Sequence, residues 1–229
     1  PVQPVIMAGG LGRRLRPLTE ELPKPMLPVG GRPLLESILE QLHTAGVSRV
    51  NLVTHYKKEG ISGHFGDGSD FGIQIQYVEE DQPLGTAGGL GLLEMSDKPL
   101  LVINGDILTK VDFRAMVDFH RDNRAEMSVA VKEKEFSVPY GVVETEGLRI
   151  TGISEKPVIR HFINAGIYLL DPELRQHIPT GQPYAMTDLI ALLVKDGRNV
   201  ISFPVHEYWR DIGQVEDYKQ AQEDSKRNF

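Results

Sequence analysis

The chain has 229 residues, of which 40% are hydrophobic and 25% charged, and its formal net charge is −7. Its size fits one large domain with a substantial core, and the lack of cysteine excludes disulfides and thiolate metal sites. The acidic balance argues against a nucleic-acid partner. Without an apolar run of ~18 residues or a signal peptide, we expect a cytoplasmic protein that has no membrane partner.

The first half of the chain alternates between short apolar runs and a segment of helical periodicity. Such alternation predicts strands joined by helices, and therefore a largely parallel sheet. The predicted elements are strands at residues 2–8, 50–54, 73–77 and 100–103, a helix between Pro33 and Gly46, and a turn at 65–69.

From about residue 126 onward, strand-like segments predominate before helical periodicity returns. No linker, internal repeat or low-complexity tract divides the sequence. We therefore predict a single domain over residues 1–229, with one half at about 1–125 and the other at about 126–229. The strands predicted here are residues 127–131, 142–144, 150–154, 163–170 and 200–205, and the helix is at 189–194.

A glycine-rich loop directly follows the first predicted strand. Gly9, Gly10 and Gly12 allow the backbone to fold tightly and to bring its N–H groups close to a ligand. Three arginines and a lysine follow within residues 13–24, and this combination suits a polyphosphate. A dinucleotide-binding loop would have a third glycine where Leu15 stands, and no P-loop sequence occurs. A simple turn is the remaining alternative from the glycines alone.

Residues 9–18 and 22–29 together resemble the signature of the sugar-1-phosphate nucleotidylyltransferases, which reads Gly-Gly-x-Gly-Thr-Arg-Leu-x-Pro-Leu-Thr and then Pro-Lys-Pro-Met-Leu-Pro-Val. The resemblance implies an α/β fold, a Rossmann-like three-layer sandwich around a mostly parallel mixed sheet. The chain departs from the signature at Arg13, where a guanidinium replaces the usual hydroxyl of Thr or Ser. The residues implied to bind nucleotide in this loop are Ala8, Gly9, Gly10, Gly12 and Arg13.

Two aspartates follow predicted strands. Asp106 comes directly after an apolar strand, and Asp211 lies just past the last one. Open α/β sheets bind ligands at the carboxyl ends of their strands, and Mg²⁺ takes one or two protein carboxylates together with phosphates and water. The resemblance implies that both aspartates hold Mg²⁺, that Lys24 contacts the transferring phosphate, and that Arg16 contacts the leaving phosphates. For the Gly-Asp pair taken alone, a simple turn is the alternative.

The second half contains Ser-Glu-Lys-Pro at 154–157 and Asn-Ala-Gly at 164–166, which resemble the acceptor motifs of the same family. A lone Glu-Lys pair would otherwise be an exposed surface pair of little energetic value. The resemblance assigns nucleotide binding to the first half of the domain and sugar-phosphate binding to the second. The implied acceptor residues are Tyr140, Gly141, Glu155, Lys156 and Asn164.

The segment 79–88 resembles the base-reading loop, with Gly85 and Thr86 near the base or ribose. The uridylyl and thymidylyl branches typically carry glutamine at the position of Glu80. An ionised carboxylate only accepts hydrogen bonds, and guanine offers two adjacent donors, N1–H and N2–H₂. We therefore predict GTP as the nucleotide, with UTP or dTTP as the alternative.

The predicted reaction is transfer of a nucleotidyl group from a nucleoside triphosphate to a sugar 1-phosphate, as in surface-polysaccharide biosynthesis. Mannose, glucosamine and heptose 1-phosphates remain open as acceptors. A catalytically silent nucleotide-sugar sensor is the alternative from another class, and a nicotinamide-dependent dehydrogenase has little support. A homodimer is compatible with the sequence. Because residue 1 is proline, we expect a processed protein or a domain of a longer chain.

Overall fold

The structure, a computed structural model, describes residues 2–227. Its strands are β1 (Gln3–Met7), β2 (Pro28–Val29), β3 (Arg32–Pro33), β4 (Arg49–Thr54), β5 (Gln74–Glu79), β6 (Leu100–Asn104), β7 (Ile107–Thr109), β8 (Met127–Ser137), β9 (Val142–Glu146), β10 (Arg149–Ser154), β11 (Val158–Leu170), β12 (Val200–Pro204) and β13 (Trp209–Asp211). Its α-helices are α1 (Leu34–Thr44), α2 (Lys58–Phe65), α3 (Gly85–Gly88), α4 (Phe113–Asp122), α5 (Met186–Lys195) and α6 (Val215–Lys226). Every helix in this described range is too short or too polar to span a bilayer.

Seven strands form the central sheet in the order β12-β8-β11-β6-β1-β4-β5. Neighbouring strands of this sheet are parallel, except that β11 runs antiparallel to both β6 and β8. Adjacent residues on β1 point to opposite faces, as the strand period requires, so Ile6 packs in the core with α1, α2 and α4 and Val5 packs in the core with α3 and α5. Helices therefore cover both faces, and the predicted three-layer α/β sandwich is confirmed.

Each predicted strand of the first half exists, and the turn predicted at 65–69 follows the end of α2. In contrast, the sequence does not predict α2, α3, α4 and α6, or the short strands β2, β3, β7 and β13. The apolar pattern of the sequence also underestimates the lengths of β8 and β11. β8 continues to Ser137 rather than ending at residue 131, and β11 begins at Val158 rather than at 163. The added part of β8 begins with alternating lysine and glutamate, so it lacks the apolar signal of a core strand. The added part of β11 is largely apolar, but its side chains are exposed.

The added parts of β8 and β11 leave the sheet as a paired ribbon that we call the inner ribbon, residues 132–137 and 158–163. β9 and β10 pair with each other and form the outer ribbon, residues 142–154. The two ribbons together, with the loops that join them, are the arm, residues 132–163. Nearly all of its residues are exposed.

Candidate active site

The carboxyl ends of β1 and β6 lie side by side, because the two strands are parallel and Met7 pairs with Asn104. The N–H of Gly105 donates to the carbonyl oxygen of Met7 at 2.9 Å. A Cβ at Gly105 would lie only 2.9 Å from that same oxygen, so the close approach requires glycine. The glycine loop that follows β1 and the Asn-Gly-Asp turn that follows β6 therefore share one edge of the sheet.

Asp106 and Asp211 meet at this edge although they lie far apart in sequence. Asp211, in β13, pairs with Ile107 in β7, and the N–H of Ile212 donates to the carbonyl oxygen of Asp106 at 2.9 Å. Burial raises the pKa of Asp211, the negative charge of Asp106 raises it further, and the positive charges of Lys24 and Arg14 oppose the increase. The structure thus brings together the two carboxylates predicted to hold a metal.

Lys24 joins this pair. Its Nζ donates to Asp106 Oδ2 at 2.6 Å, and its side chain is only 10% exposed. Pro23 and Pro25 restrict the backbone on both sides of the lysine and help to fix its direction. One lysine leaves two neighbouring carboxylates with an excess negative charge that a cation can neutralise.

The donor set suits Mg²⁺. Within residues 2–227, no group of three or more histidine or acidic side chains has the arrangement of a metal site. A cation held by Asp106 and Asp211 would take its remaining ligands from substrate phosphates and water. Mg²⁺ commonly binds to proteins in this way. Closed zinc sites, which take four protein ligands, do not fit this arrangement.

The glycine loop is held by a local hydrogen bond and by a buried leucine. Gly12 has a φ of +60°, and the hydroxyl of Thr19 donates to its carbonyl oxygen at 2.7 Å. Leu15 is fully buried and anchors the loop, whereas Arg13 and Arg16 are exposed beside it. The buried leucine therefore leaves the arginines free to face a ligand.

Arg14 is a site candidate that the sequence analysis did not single out. Its positive charge lowers the pKa of Asp211, which places it near the two carboxylates, although its side chain is exposed. Only its position within the arginine cluster of the loop could have suggested this role.

Glu80 is buried beside the glycine loop. A Cβ at Gly9 would lie 2.6 Å from its Oε2, and a Cβ at Gly89 would lie 2.6 Å from its Oε1. Within the described chain, Oε1 has no hydrogen-bond partner. Burial raises the pKa of Glu80, while the N–H of Leu84 and the charge of His55 oppose the increase. A buried carboxylate with an unpaired oxygen is suited to a ligand that donates hydrogen bonds.

Gly85 and Thr86 begin α3, where Gly85 has a φ of +75°. The N–H of Met186 donates to the hydroxyl oxygen of Thr86 at 2.8 Å. The carbonyl oxygen of Tyr184 accepts from the N–H groups of two α3 residues at 3.0 and 3.1 Å. Thr86 therefore also fixes the start of α5, and Tyr184 is a neighbour that no sequence pattern indicated.

Four of the predicted acceptor residues lie together in the loops between the two ribbons. The N–H of Lys156 donates to the carbonyl oxygen of Tyr140 at 3.2 Å, and Glu155 lies against Gly141. All four are exposed. Across residues 2–227, no hydrogen bond or ion pair joins them to the glycine loop or to the aspartates.

Asn164, the fifth acceptor residue, lies apart from these four. Its Oδ1 accepts from the N–H of Gly166 at 2.9 Å, and Gly166 packs against Asn104 at the end of β6. The structure therefore brings Asn164 to the edge that carries the aspartates. Asn104, whose buried Oδ1 has no partner among the described residues, is a further polar group there that the sequence analysis missed.

The C-terminal helix α6 holds β13, and with it Asp211. Asp224 of α6 accepts from the hydroxyl of Tyr208 at 2.6 Å and from Nε of Arg210 at 3.0 Å. Burial and the hydrogen bond to Asp224 raise the pKa of Tyr208 to about 12. No periodic pattern in the sequence predicts this support, because α6 has a weakly apolar face.

We expect Glu80→Gln to stabilise the chain at neutral pH. The pKa of Glu80 in the folded chain lies above the ordinary value of 4.5. The wild type therefore loses stability as the pH rises from this ordinary value through the folded-state pKa, because the buried carboxyl group must ionise. The variant has no ionisable group here and keeps its stability. By thermal unfolding, the variant's Tm should exceed that of the wild type at pH 7. The two values should converge as the pH falls towards 4. An equal or lower Tm for the variant at pH 7 would show that the carboxylate is well paired.

Comparisons with known proteins agree on one family. A family model for nucleotidyl transferases matches residues 3–228. The mannose-1-phosphate guanylyltransferase of Mycobacterium tuberculosis is 37% identical over 100% of this chain and 66% of its own length. The UTP–glucose-1-phosphate uridylyltransferase of Synechocystis is 35% identical over 95% of this chain and 61% of its own length. The chain thus spans 61–66% of these two relatives.

A solved structure extends the comparison to the fold. HddC from Yersinia pseudotuberculosis, complexed with GMP-PN, has a TM-score of 0.75 and 26% sequence identity to this chain. The match covers 98% of this chain and 100% of that one.

Proposed function

Because the chain belongs to the nucleotidyl transferase family, we propose that it transfers a nucleotidyl group from a nucleoside triphosphate to a sugar 1-phosphate. An oxygen of the sugar phosphate attacks the α-phosphorus and forms a new P–O bond. The bond from that phosphorus to the oxygen of the β-phosphate breaks, and pyrophosphate leaves. The observation that supports this reaction is the meeting of Lys24, Asp106 and Asp211 beside a glycine loop.

Both reactants are anions, so the residues must neutralise charge and fix geometry rather than supply a strong base. Lys24 is the proposed donor to the transferring phosphate, and Arg16 and Arg13 are the proposed donors to the leaving phosphates. Mg²⁺ bound by Asp106 and Asp211 would neutralise phosphate charge and polarise the reacting phosphorus. The backbone N–H groups of the glycine loop would hold the remaining phosphate oxygens.

The proposed acceptor site is the group Tyr140, Gly141, Glu155 and Lys156, together with Asn164. Lys156 would pair with the sugar phosphate, and the polar side chains of Glu155 and Asn164 would bind sugar hydroxyls. Mannose 1-phosphate is the first acceptor to test, because the relative from Mycobacterium tuberculosis carries that name. Glucosamine and heptose 1-phosphates are the other candidates.

GTP is the proposed nucleotide. Glu80 supports this choice, since its buried carboxylate has an oxygen without a partner in the described chain and guanine presents two adjacent donors. The guanylyl relative and the neighbour that was solved with GMP-PN agree with it. The uridylyltransferase relative favours the second candidate, the same reaction with UTP or dTTP.

The experiment is an assay of pyrophosphate release with Mg²⁺ across five nucleoside triphosphates, each paired with the candidate sugar 1-phosphates. The proposal predicts release with GTP and at least one sugar, and loss of that release when a chelator removes the metal. Turnover with UTP or dTTP alone would keep the reaction and reject the choice of base. If no combination releases pyrophosphate but GTP still binds, the result would favour a nucleotide-sugar sensor.

A further inference from the structure

We propose that Glu80 allows one base pocket to accept two classes of nucleotide, a guanine nucleotide when its carboxyl group is ionised and a uracil or thymine nucleotide when the group is protonated. The inference rests on the proposed function and deepens it, because it concerns the nucleotide that the candidate active site binds. Two observations support it: the burial of this carboxyl group, and an oxygen that has no hydrogen-bond partner among residues 2–227.

The carboxyl group of Glu80 is held between two glycines. Glu80 is only 6% exposed. A Cβ on Gly9 would approach Oε2 to 2.6 Å, and a Cβ on Gly89 would approach Oε1 to 2.6 Å. Gly9 belongs to the glycine loop, and Gly89 follows α3. This close fit on two sides holds the carboxyl group in place and away from solvent.

The two oxygens of the carboxyl group have different surroundings. The N–H of Leu84 donates to the carboxyl group of Glu80. Since Oε1 has no partner in the described chain, the oxygen that accepts from Leu84 is Oε2. In a neutral carboxyl group, the oxygen that accepts from an N–H acts as the carbonyl oxygen, and the other oxygen carries the proton. In the protonated state Oε1 is therefore the hydroxyl group and can donate to a ligand.

One titratable side chain faces Glu80 from the elements that pack against it within the described residues. These elements are the glycine loop, the end of β4, the loop before α3 and the residue that follows α3. The side chain is that of His55, whose Nδ1 lies 2.8 Å from the backbone carbonyl oxygen of Glu80. Burial raises the pKa of Glu80, and the N–H of Leu84 and the charge of His55 offset only part of the increase. The neutral state is therefore populated at a higher pH than in an exposed glutamate.

The ionised state of Glu80 favours guanine. A carboxylate offers two acceptors and no donor, which matches the adjacent N1–H and N2–H₂ groups of guanine. Uracil and thymine instead present one N–H between two carbonyl oxygens. If one carboxylate oxygen pairs with that N–H, the other faces a carbonyl oxygen, and two acceptors repel each other. The pyrimidines are therefore disfavoured as long as Glu80 is ionised.

The protonated state of Glu80 favours uracil and thymine. A neutral carboxyl group offers one donor and one acceptor, as the side chain of glutamine does. Its carbonyl oxygen can accept from the N–H of the pyrimidine, and its hydroxyl group can donate to the adjacent carbonyl oxygen. Guanine loses one of its two acceptors at the same time. Because the uridylyl and thymidylyl branches typically carry glutamine at this position, protonation gives Glu80 the hydrogen-bonding pattern of those branches.

The test measures the binding of GTP and of UTP with Mg²⁺ by calorimetry, without a sugar phosphate. The range is about pH 5 to about pH 8, in paired buffers that differ in their heat of ionisation. GTP binding should release protons from the base pocket, and UTP binding should take them up. The triphosphate groups titrate alike in both ligands, so the difference between GTP and UTP isolates the base. The preference for GTP should fall by at least about tenfold from the upper to the lower end of this range.

Three variants identify the group that titrates. In Glu80→Gln the preference should not change with pH, and GTP and UTP should exchange equal numbers of protons. In His55→Asn an amide N–H₂ can donate to the same backbone carbonyl oxygen without a titratable charge. The pH dependence should persist there and move to higher pH, because the charge that lowers the pKa of Glu80 is absent. Glu173→Gln, at an exposed position in the second half, is the control and should behave as the wild type.

A preference for GTP that stays constant with pH in the wild type would overturn the inference. A pH dependence that persists in Glu80→Gln would do the same, as would the absence of UTP binding at the lowest pH. Failure of the proposed function is a separate result, because it would appear as a lack of pyrophosphate release with every nucleotide and sugar phosphate. Binding measured without a sugar phosphate does not depend on turnover.

Discussion

Asp211→Asn is expected to lower kcat by about 10²–10³-fold without lowering the free energy of unfolding. A metal ion contributes several kcal/mol of transition-state stabilisation, and each 1.36 kcal/mol corresponds to a factor of ten in rate. The amide is a poor ligand for Mg²⁺ compared with a carboxylate. The same change removes a charge that is disfavoured by burial and by repulsion from Asp106, the two causes that raise the pKa of Asp211, so the fold should be as stable as before or more stable.

Asp106→Asn should be equally inactive but less stable. Lys24 is 10% exposed and pairs with Asp106 at 2.6 Å, so removal of that carboxylate leaves a buried charge without its partner. The contrast between the two variants separates the metal role from the structural one. Asp97→Asn, at an exposed surface position, is the control and should behave as the wild type in both measurements.

Steady-state kinetics over a range of Mg²⁺ concentrations, together with denaturant unfolding, provide the readout. Full activity in Asp211→Asn at ordinary Mg²⁺ concentrations would contradict the assignment of this residue.

Glu80→Gln is expected to reduce the preference for GTP over UTP by about 10–100-fold, measured as the ratio of kcat/KM values. A carboxylate that accepts two hydrogen bonds from guanine contributes roughly 1–3 kcal/mol of discrimination, and an amide can accept only through its oxygen. The amide N–H₂ can instead donate to a carbonyl of uracil or thymine, so the loss for GTP should be accompanied by a gain for the pyrimidines.

Glu79→Gln is the matched control for this prediction. Glu79 is adjacent in sequence but exposed, and it pairs with Lys58 at 2.5 Å on the surface. Its substitution should leave the nucleotide preference unchanged. If Glu80→Gln kept the preference of the wild type, the guanine assignment would have no support from this residue.

Local patterns were sufficient to predict the strands that end at the site. The apolar strand before Asp106 and the glycines after β1 are patterns of adjacent residues. Such patterns can be recognised without knowledge of tertiary contacts. The convergence of Asp106 and Asp211 could not be predicted in this way. It depends on the pairing of β7 with β13 across a hundred residues, which only the family resemblance suggested.

The misjudged elements share a physical cause. The β8 half of the inner ribbon has charged residues where a core strand would have apolar ones, so its hydrophobic periodicity ends at residue 131 although the strand continues. α6 buries only Ala221, and its polar sequence resembles an unstructured segment. In both places tertiary contacts stabilise an element whose own sequence signal is weak.

The central claim is that the bond broken lies between the α- and β-phosphates. GTP labelled at the α-phosphate and GTP labelled at the γ-phosphate should be incubated separately with Mg²⁺ and the acceptor that gives turnover. We expect the α-label in a nucleotide-sugar and the γ-label in pyrophosphate. Appearance of the γ-label in orthophosphate or on the sugar, with no α-label in a nucleotide-sugar, would contradict nucleotidyl transfer.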